Sequence, residues 1–310
     1  AALRPDTRVV FFESLSNPTL EVIDVAAVTE IAHTVGATVV CDNVFSTPVF
    51  SDAIALGADL VVHSATKFLG GHGERDPAIT GNRGYSKLAD KLGAIGFSLS
   101  SISLLQQAIP DDARVLVIAG VNHAVSPGEL EHIERHLEQN GNLLWLVDPG
   151  DLHGLSPLAE RLGIRFHDGM VVDNNIELRR TLQIDHPAIV PVLEFFPHPV
   201  SKGINYNALF PLARGIEVLP QADDSEWMHA PLWRSFEQSW SETGSLSEDI
   251  VFASTDGDIA GPITLALAIE RIITDADTSK ATQRIMVVGD SDFLANAYIG
   301  IGANLDLAMN

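Results

Sequence analysis

The sequence predicts an α/β fold built on parallel sheets, and three observations lead to this prediction. Short apolar runs, such as residues 9–12, end at polar and turn-forming residues, as strands of a parallel sheet do. Stretches with apolar residues at helical spacing lie between these runs. The 310 residues are 46% apolar and 19% charged, which is typical of a globular chain that buries a sizeable core.

The first part of the chain alternates strands and helices. The pattern predicts strands at residues 9–12, 38–41 and 59–62, a helix at 24–36 and a short helix around 51–56. Asp24 is a suitable N-cap for the longer helix, and Gly36 is a suitable C-terminal glycine. The order of elements therefore indicates right-handed βαβ units, whose ligands bind in loops at the carboxyl ends of the strands.

The second part is again a doubly wound α/β pattern at its start. We predict helices at 85–92, 126–139 and 155–162 and strands at 114–119 and 143–147. Ser126, Pro127 and Glu129 form the signature of a capped helix start. Residues 168–258 are irregular and predict short strands with long loops. An apolar segment at 263–273, a strand at 284–288 and a helix-like segment at 294–310 follow.

Charge and cysteine content restrict the function. Nineteen Lys and Arg against 41 Asp and Glu give a net charge of -22, which argues against binding to nucleic acid or to anionic lipid. Cys41 is the one cysteine, so the sequence predicts no internal disulfide. No run of eighteen apolar residues predicts a membrane span, and no signal-peptide pattern is present. No His or Cys spacing typical of a metal centre occurs, and we predict none.

Polar residues follow each of the first three predicted strands. They are Asn17 after the first strand, Asp42 after the second, and Ser64, Thr66 and Lys67 after the third. A lysine at a crowded strand end can lose its proton by desolvation and attack an aldehyde cofactor. A neighbouring carboxylate can keep the pyridine nitrogen of pyridoxal phosphate protonated, and small hydroxyls can donate hydrogen bonds to its phosphate.

Three segments of this part resemble the pyridoxal-phosphate enzymes of cysteine and methionine metabolism. They are residues 59–73 (DLVVHSATKFLGGHG), 12–24 (FESLSNPTLEVID) and 40–48 (VCDNVFSTP), and the last two are most similar to the O-succinylhomoserine or O-acetylhomoserine sulfhydrylase branch. The resemblance implies part of a fold type I domain and bound pyridoxal 5'-phosphate.

The same resemblance implies a role for each polar residue of this part. Lys67 forms the Schiff base with the cofactor, Asp42 faces the pyridine nitrogen, Ser64 and Thr66 contact the phosphate, and Asn17 approaches the ring hydroxyl. The resemblance ends near Gly73. The phosphate loop, the stacking aromatic ring and the substrate-binding arginine of that family have no counterpart in this sequence.

Four later segments resemble a second family, the gliding-motility-type (GldG-like) auxiliary proteins of ABC transporters. They are residues 71–77 (GHGERDP), 115–120 (VLVIAG), 142–149 (NLLWLVDP) and 287–293 (VVGDSDF). This resemblance implies a flavodoxin-like or amidotransferase-like α/β domain outside the cytoplasm. It also implies the membrane subunits of an ABC transporter as partners and leaves room for a small-molecule ligand.

The two resemblances meet at residues 71–73, which both families can supply. The sequence therefore predicts two domains, a partial pyridoxal-phosphate segment at 1–73 and a transporter-auxiliary domain at 74–310. A natural gene fusion, an assembly error and a deliberate chimera all produce such a join. Because the first family is cytoplasmic and the second extracytoplasmic, the sequence assigns no compartment.

Other residues of the second domain have two interpretations each. Ser291, between two aspartates after a strand, is either a nucleophile or part of a strand-end turn, and we favour the turn. His72, Glu74 and Asp76 are either ligands of a hard metal or loop caps, and we favour caps. A cysteine nucleophile is excluded there, because Cys41 lies in the first domain. The aromatic residues near Trp227, Trp233 and Trp240 form either a partner-binding patch or, as we favour, a packed element.

Three function classes follow from these patterns. The leading prediction is a noncatalytic binding or scaffolding domain of an ABC-transporter auxiliary protein, with a partial pyridoxal-phosphate segment before it. The second is a pyridoxal-phosphate transferase or lyase of sulfur amino-acid metabolism that uses Lys67. The third is a recombinant product without a single physiological role. Some seventy residues cannot enclose a cofactor that normally lies between domains and subunits, so we expect little activity from the chain alone.

Overall fold

The structure, a computed structural model, describes residues 3–15, 22–43, 53–62, 75–220, 226–246, 250–274 and 280–310. The chain divides into two compact units, Ala1–His72 and Gly73–Asn310. Strands and helices are numbered below in chain order through both units.

The first unit is a small parallel sheet with one helix in its described part. Its elements are β1 (Val9–Glu13), α1 (Val25–His33), β2 (Thr38–Asp42) and β3 (Leu60–Val62), and the strand order is β1-β2-β3. The side chain of Asp24 caps α1 by accepting from the N–H of Ala27 at 3.0 Å, as predicted. Residues 53–57 form turns and not the predicted helix, because the chain reverses at once through Gly57, whose φ is +101°.

The core of the first unit lies on one side of its sheet. Its buried residues are Val25, Ala32, Ala37, Val39, Cys41, Ala53 and Ala58, which come from the helix, the middle strand and the turn. Val9 and Phe11 of β1 and Leu60 of β3 are exposed. One face of this sheet is thus covered, and apolar side chains of its edge strands are open to solvent.

The second unit contains most of the secondary structure. Its elements are α2 (Ser86–Ala94), β4 (Val115–Ala119), α3 (Pro127–Glu138), β5 (Asn142–Leu146), α4 (Ser156–Arg161), β6 (Ile164–Phe166), β7 (Met170–Val172), α5 (Ile176–Leu182), β8 (Ile189–Val192), β9 (Ala208–Pro211), β10 (Ile216–Val218), β11 (Met228–Arg234), β12 (Trp240–Glu242), β13 (Ile259–Ala260), β14 (Thr264–Thr274), β15 (Lys280–Val288) and α6 (Asn304–Met309). The predicted short strands between 168 and 258 are confirmed. The helix α5 in that region was not predicted.

The central sheet of this unit is mixed, which corrects the prediction of a purely parallel one. Its order is β11-β14-β15-β5-β4. The strands β15, β5 and β4 are parallel, whereas β14 pairs antiparallel with both β15 and β11. Five residues connect β14 to β15, and this is too short for the crossover that a parallel pair requires. The apolar segment at 263–273 therefore becomes one arm of a hairpin.

Both faces of the central sheet are covered. Leu146, Ala266 and Phe293 belong to an apolar cluster on one face, and Trp145 and Leu267 belong to a cluster on the other. Neighbouring strand residues enter opposite clusters, as the alternation of side chains along a strand requires. This arrangement gives the second unit a core on each side of the sheet.

The tryptophans of the 227–240 region lie in packed elements. Trp233 of β11 is fully buried against Phe195 and Phe210, and Trp240 of β12 is buried as well. These two residues therefore do not form the partner-binding patch that was the alternative. They stabilise the fold.

Two further predictions have clear outcomes. The capping box of Ser126 and Glu129 is present at the start of α3. The segment 294–310 is helical only at Asn304–Met309, because Gly302 has a φ of +52° and lies too close to the carbonyl of Asn207 for a side chain. Within the described residues, no helix combines the length and the apolar character that a membrane crossing requires.

Candidate functional site

Of the five residues predicted to bind a cofactor, the structure describes one. Asp42 is the last residue of β2, at the carboxyl end of the middle strand, where it is half-buried. Its backbone carbonyl accepts from the N–H of Ser14 at 2.9 Å. Asn17, Ser64, Thr66 and Lys67 lie outside the described residues. The predicted cofactor site therefore stays a prediction.

A second group of polar residues lies at the strand ends of the larger unit. Asp148 is the second residue after β5, and Asp290 is the second residue after β15. Because these strands are parallel neighbours, their carboxyl ends meet at the same edge of the sheet. Asp148, Asp290, Ser291, Asp292 and Arg75 are in contact there and are called the strand-end cluster below. The four segments that resemble transporter-auxiliary proteins thus end at, or pass through, one place.

The strand β4 contributes backbone to the same edge. Gly120 follows β4 directly and has a φ of +54°, a conformation that favours glycine. A Cβ atom at this position would lie 2.9 Å from Oγ of Ser291 and 3.1 Å from Cγ of Arg75. Glycine is therefore required at residue 120 for the cluster to pack against the end of β4.

Arg75 binds the cluster through its guanidinium group. Nε donates to Oγ of Ser291 at 2.8 Å, and Nη2 donates to Oδ1 of Asp292 at 2.6 Å. Nη2 also lies 3.5 Å from Oδ2 of Asp148, and Nη1 donates to the carbonyl of Arg83 at 3.0 Å. The Arg75 side chain is only 7% exposed. This residue therefore ties the segment that precedes α2 to the ends of β5 and β15.

The N–H, the hydroxyl and the carbonyl of Ser291 all form hydrogen bonds with neighbouring residues. Its N–H and its hydroxyl donate to the two carboxylate oxygens of Asp148, at 2.7 and 2.6 Å. Its carbonyl accepts from the hydroxyl of Tyr85 at 2.5 Å, and the residue is fully buried. The geometry supports the favoured interpretation of a strand-end turn, because the hydroxyl of Ser291 is buried and hydrogen-bonded to Arg75 and Asp148.

Asp290 is the most buried carboxylate of the cluster. Its Oδ1 accepts from the N–H groups of Asp292 and Phe293 at 2.6 and 3.2 Å. Its Oδ2 has no hydrogen-bond partner among the described residues. Burial, together with the charges of Asp148 and Asp292, raises the pKa of Asp290 well above its usual value. Burial also raises the pKa of Asp292, and Arg75 opposes that rise.

A second arginine, Arg214, binds the backbone next to the cluster. Nη1 of Arg214 donates to the carbonyls of Asp148 and Gly150 at 3.1 and 3.0 Å, and Nη2 donates to the carbonyl of His167 at 2.8 Å. The guanidinium lies 5.0 Å from the ring centre of Phe166. Desolvation lowers the pKa of Arg214. This residue orients the loop that carries Asp148.

Asp76, which was one of the three candidate metal ligands at residues 72–76, has a structural role. Oδ1 of Asp76 accepts from the N–H of Ala78 at 2.6 Å, and Oδ2 accepts from the hydroxyl of Ser101 at 2.9 Å. Asp76 is thus a loop cap, as favoured. His72 and Glu74 lie outside the described residues.

Sequence reasoning missed most of the strand-end cluster. Arg75 and Asp148 belonged to segments that carried the family resemblance, yet neither was identified as a site residue. The sequence did show that Asp148 follows one apolar strand and that Asp290 and Asp292 follow another. If the two strands are parallel neighbours, these aspartates lie at one edge of the sheet. Nothing in the sequence indicated that Arg75, far away along the chain, would join them.

Two family models match the chain, in different parts. The model described as ABC-type uncharacterized transport system matches residues 67–310. The model described as Cys/Met metabolism PLP-dependent enzyme matches residues 1–82. The matches overlap around the segment where the two sequence resemblances meet.

Relatives of the first part are enzymes of sulfur amino-acid metabolism. L-methionine gamma-lyase of Pseudomonas putida is 44% identical over 117 residues, which are 38% of this chain and 28% of that protein. O-succinylhomoserine sulfhydrylase of Pseudomonas aeruginosa is 46% identical over 84 residues, which are 27% of this chain and 21% of that protein. The chain thus spans about a quarter of the length of these relatives.

A solved structure resembles most of the chain in fold. The mmIFT52 N-terminal domain has a TM-score of 0.51 and 13% sequence identity, and the match covers 76% of this chain and 91% of that domain. At this identity the likeness concerns the fold alone. Because the transport-system model matches far more than half of the residues, the chain belongs to the ABC-type uncharacterized transport system family, and a partial Cys/Met PLP-dependent enzyme segment precedes that domain.

Proposed function

We propose that the unit Gly73–Asn310 is an accessory binding domain of an ABC transport system and that it catalyses no reaction. The observation that carries the proposal is the occupied strand-end edge. In α/β enzymes this edge holds the organic substrate, but here the guanidinium of Arg75 and the buried hydroxyl of Ser291 lie there and bind each other. Occupation of the edge by these side chains supports binding of a partner through another surface.

An apolar groove in the second unit suits such a surface. It encloses about 910 Å³ and is lined by residues 193–199, 201, 202 and 204. Leu193 and Phe196 are 44% and 37% exposed there. Exposed aromatic and aliphatic side chains in a concave surface are typical of protein interfaces. We propose that the membrane subunits of an ABC transporter are the partners.

Binding to those subunits tests the proposal directly. The purified chain is mixed in detergent with the ABC-transporter membrane subunits of its source organism, and the Kd is measured. We expect saturable binding, and we expect Phe196→Glu to weaken it at least tenfold. Ile272→Glu is the matched control, because Ile272 is 58% exposed on β14, outside the groove. Absence of binding contradicts the proposed function, and equal weakening by both variants contradicts the groove.

The three parallel strands of the central sheet support a finer proposal about the fold. The strands β15, β5 and β4 form the part that a flavodoxin-like or amidotransferase-like domain would share. The antiparallel strands β14 and β11 extend this part on one side. We propose that the relationship to such domains is restricted to the parallel half of the sheet.

A second candidate function is a transferase or lyase of Cys/Met metabolism that uses pyridoxal phosphate. The 44% identity to L-methionine gamma-lyase supports it. In this proposal Lys67 holds the cofactor covalently, Asp42 faces the pyridine nitrogen, and Ser64, Thr66 and Asn17 contact the phosphate and the ring hydroxyl. The position of Asp42 at the carboxyl end of β2 is consistent with this role, because ligands of parallel sheets bind at that end of the strands. The cofactor would supply an electron sink when bound.

Chemical trapping tests this second candidate. The protein is incubated with pyridoxal phosphate and reduced with borohydride, and the labelled peptide is identified by mass spectrometry. Labelling of Lys67 alone, lost in Lys67→Ala and retained in Lys91→Ala, supports the proposal. Equal labelling of many lysines contradicts it. Lys91 is an exposed lysine on α2 and reports nonspecific reaction.

A further inference from the structure

The strand-end cluster brings three carboxylates close together. One oxygen each from Asp148, Asp290 and Asp292 lies within 4.8 Å of the other two. The three residues follow two neighbouring parallel strands, so the pairing of the strands brings them together. Carboxylate oxygens are the ligands that Mg²⁺, Ca²⁺ and Mn²⁺ prefer. Proximity of acidic groups is common on protein surfaces, so a second observation is needed.

The second observation is the free oxygen of Asp290. The residue is 1% exposed, and its Oδ2 has no hydrogen-bond donor among the described residues. Burial of an ionised oxygen without a partner is costly, and native structures avoid it. The carboxylate of Asp290 lies within the group of three, so a cation held there would satisfy this oxygen.

The charges of the cluster lead to the same conclusion. Arg75 forms ion pairs with Asp148 and Asp292, and the charge of Arg83 also acts on Asp292. Arg214, the other arginine nearby, directs its Nη groups to backbone carbonyls. Asp290 forms no ion pair with any of the described residues. A divalent cation would give its carboxylate a cationic partner.

We propose that Asp148, Asp290 and Asp292 bind one divalent cation of the oxygen-preferring class. The carboxylate of Asp290 is the buried ligand. The side chains of Asp148 and Asp292 are 32% and 18% exposed and give access to the ion and to its water ligands. The bound ion joins the end of β5 to the end of β15. Its role is structural, since the cluster also holds Arg75 and the segment before α2.

Binding of single cations to the full chain tests the proposal. The protein is treated with EDTA, dialysed, and titrated separately with MgCl₂, CaCl₂ and MnCl₂ in a calorimeter. We expect one site per chain for at least one cation. At a hundredfold excess over Kd, we expect that cation to raise the Tm of the larger unit by about 5 to 10 °C. No heat and no Tm shift with any of the three cations overturn the proposal.

Two variants make the test specific. We expect Asp290→Asn to lose the Tm response. If Asp290→Asn does not fold, the half-buried Asp292→Asn is measured instead, with at least a tenfold weaker Kd expected. Asp173→Asn is the matched control, because Asp173 is also 1% exposed with a free Oδ2 but lies outside the cluster. Retention of the response in Asp292→Asn, or its loss in Asp173→Asn, overturns the assignment of the ligands.

Terbium luminescence gives a second readout. Tb³⁺ replaces Ca²⁺ at oxygen sites, and the ring of Tyr85, whose hydroxyl contacts Ser291, lies close enough to sensitise it. We expect terbium emission from the wild type. Phenylalanine keeps the fold in Tyr85→Phe but sensitises Tb³⁺ poorly, so we expect much weaker emission from this variant. Emission as intense as that of the wild type in both Tyr85→Phe and Asp292→Asn places the ion elsewhere and overturns the proposal.

Discussion

The two units of this chain are both built on parallel strands, but they cover their sheets differently. In the first unit, α1 and a turn cover one face, and Val9, Phe11 and Leu60 are 57%, 61% and 57% exposed. In the second unit, an apolar cluster lies on each face of the central sheet. Parallel sheets in native proteins are buried on both faces. Among its described residues the first unit is thus covered on one face, whereas the second supplies its own two cores.

The extent of the two family matches is consistent with this difference in coverage of the sheets. The chain spans about a quarter of the length of the enzymes that the first unit resembles, so most of the sequence of those enzymes has no counterpart in the match. The transport-system match covers the whole second unit. We therefore expect the second unit to be the more stable of the two, and four predictions test this comparison.

The largest expected effect is that of Arg75→Met. Arg75 is the buried partner of its ion pairs, and its removal leaves the partly buried carboxylates of Asp292 and Asp148 without it, so we expect a loss of about 3 kcal/mol in the free energy of unfolding of the second unit. Arg165→Met is the control, because the Arg165–Glu217 ion pair is exposed and contributes little. Hydrogen exchange resolved by peptide separates the two units. Accelerated exchange in the first unit would contradict the prediction.

Core truncations compare the two sheets directly. Leu267→Ala opens a cavity in the second unit, where Leu267 is 1% exposed, and should cost about 3 kcal/mol. Phe11→Ala removes a larger side chain from the open face of the first unit and should cost only about 0.5 kcal/mol. Urea unfolding followed by hydrogen exchange measures both. Equal costs would show that the open face of the first unit is covered in solution.

Helix caps should contribute equally in both units. Ser126→Ala removes the cap of α3, and Asp24→Ala removes the cap of α1. We expect each to cost about 1 kcal/mol, because a cap satisfies backbone N–H groups locally and does not depend on coverage of the sheet. Chemical denaturation measures the two losses. A much smaller loss for Asp24→Ala would show that α1 is only marginally folded in the wild type.

The smallest expected effect is a difference in pH dependence between the units. Burial raises the pKa of Asp173 in the second unit, so its ionised form destabilises the fold at neutral pH, and stability is regained as the pH falls through the folded pKa. Asp173→Asn should therefore stabilise by about 0.5 kcal/mol at pH 7, a gain that disappears in acid.

The first unit should show the opposite sign. The N–H of Val39 and the ring of His33 lower the pKa of Asp59, so its stabilising effect is present above the unfolded pKa and is lost as the pH falls through the folded one. Unfolding of wild type, Asp173→Asn and Asp59→Asn between pH 3 and 7 checks both signs. A gain from Asp173→Asn that persists at pH 3 would contradict the assignment.

Local features of the fold were predictable from sequence. The caps at Asp24 and Ser126 were predicted correctly, because capping depends on residues within one turn of each other. The strands β1, β2, β4 and β5 were predicted within a residue or two for the same reason. The hairpin of β14 and β15 was not, because an apolar run alone does not distinguish a buried strand from a buried helix.

The strand-end cluster shows where sequence reasoning ends. The aspartates at 148, 290 and 292 follow strands, but only the parallel pairing of β5 with β15 brings them together. Arg75 joins them across more than two hundred residues of sequence, as its contact with Asp292 shows. No periodicity or spacing encodes a contact of this length.

The amino-acid sequence by itself determined the α/β class, the two-part resemblance, the acidic charge and the capped helices, because each depends on composition or on neighbours along the chain. The tertiary structure alone decided that the central sheet is mixed, that Val9, Phe11 and Leu60 of the first sheet are exposed, and that Arg75 lies at the strand-end edge of the second unit. These features depend on which strands pair and which faces meet, and pairing is a property of the packed chain.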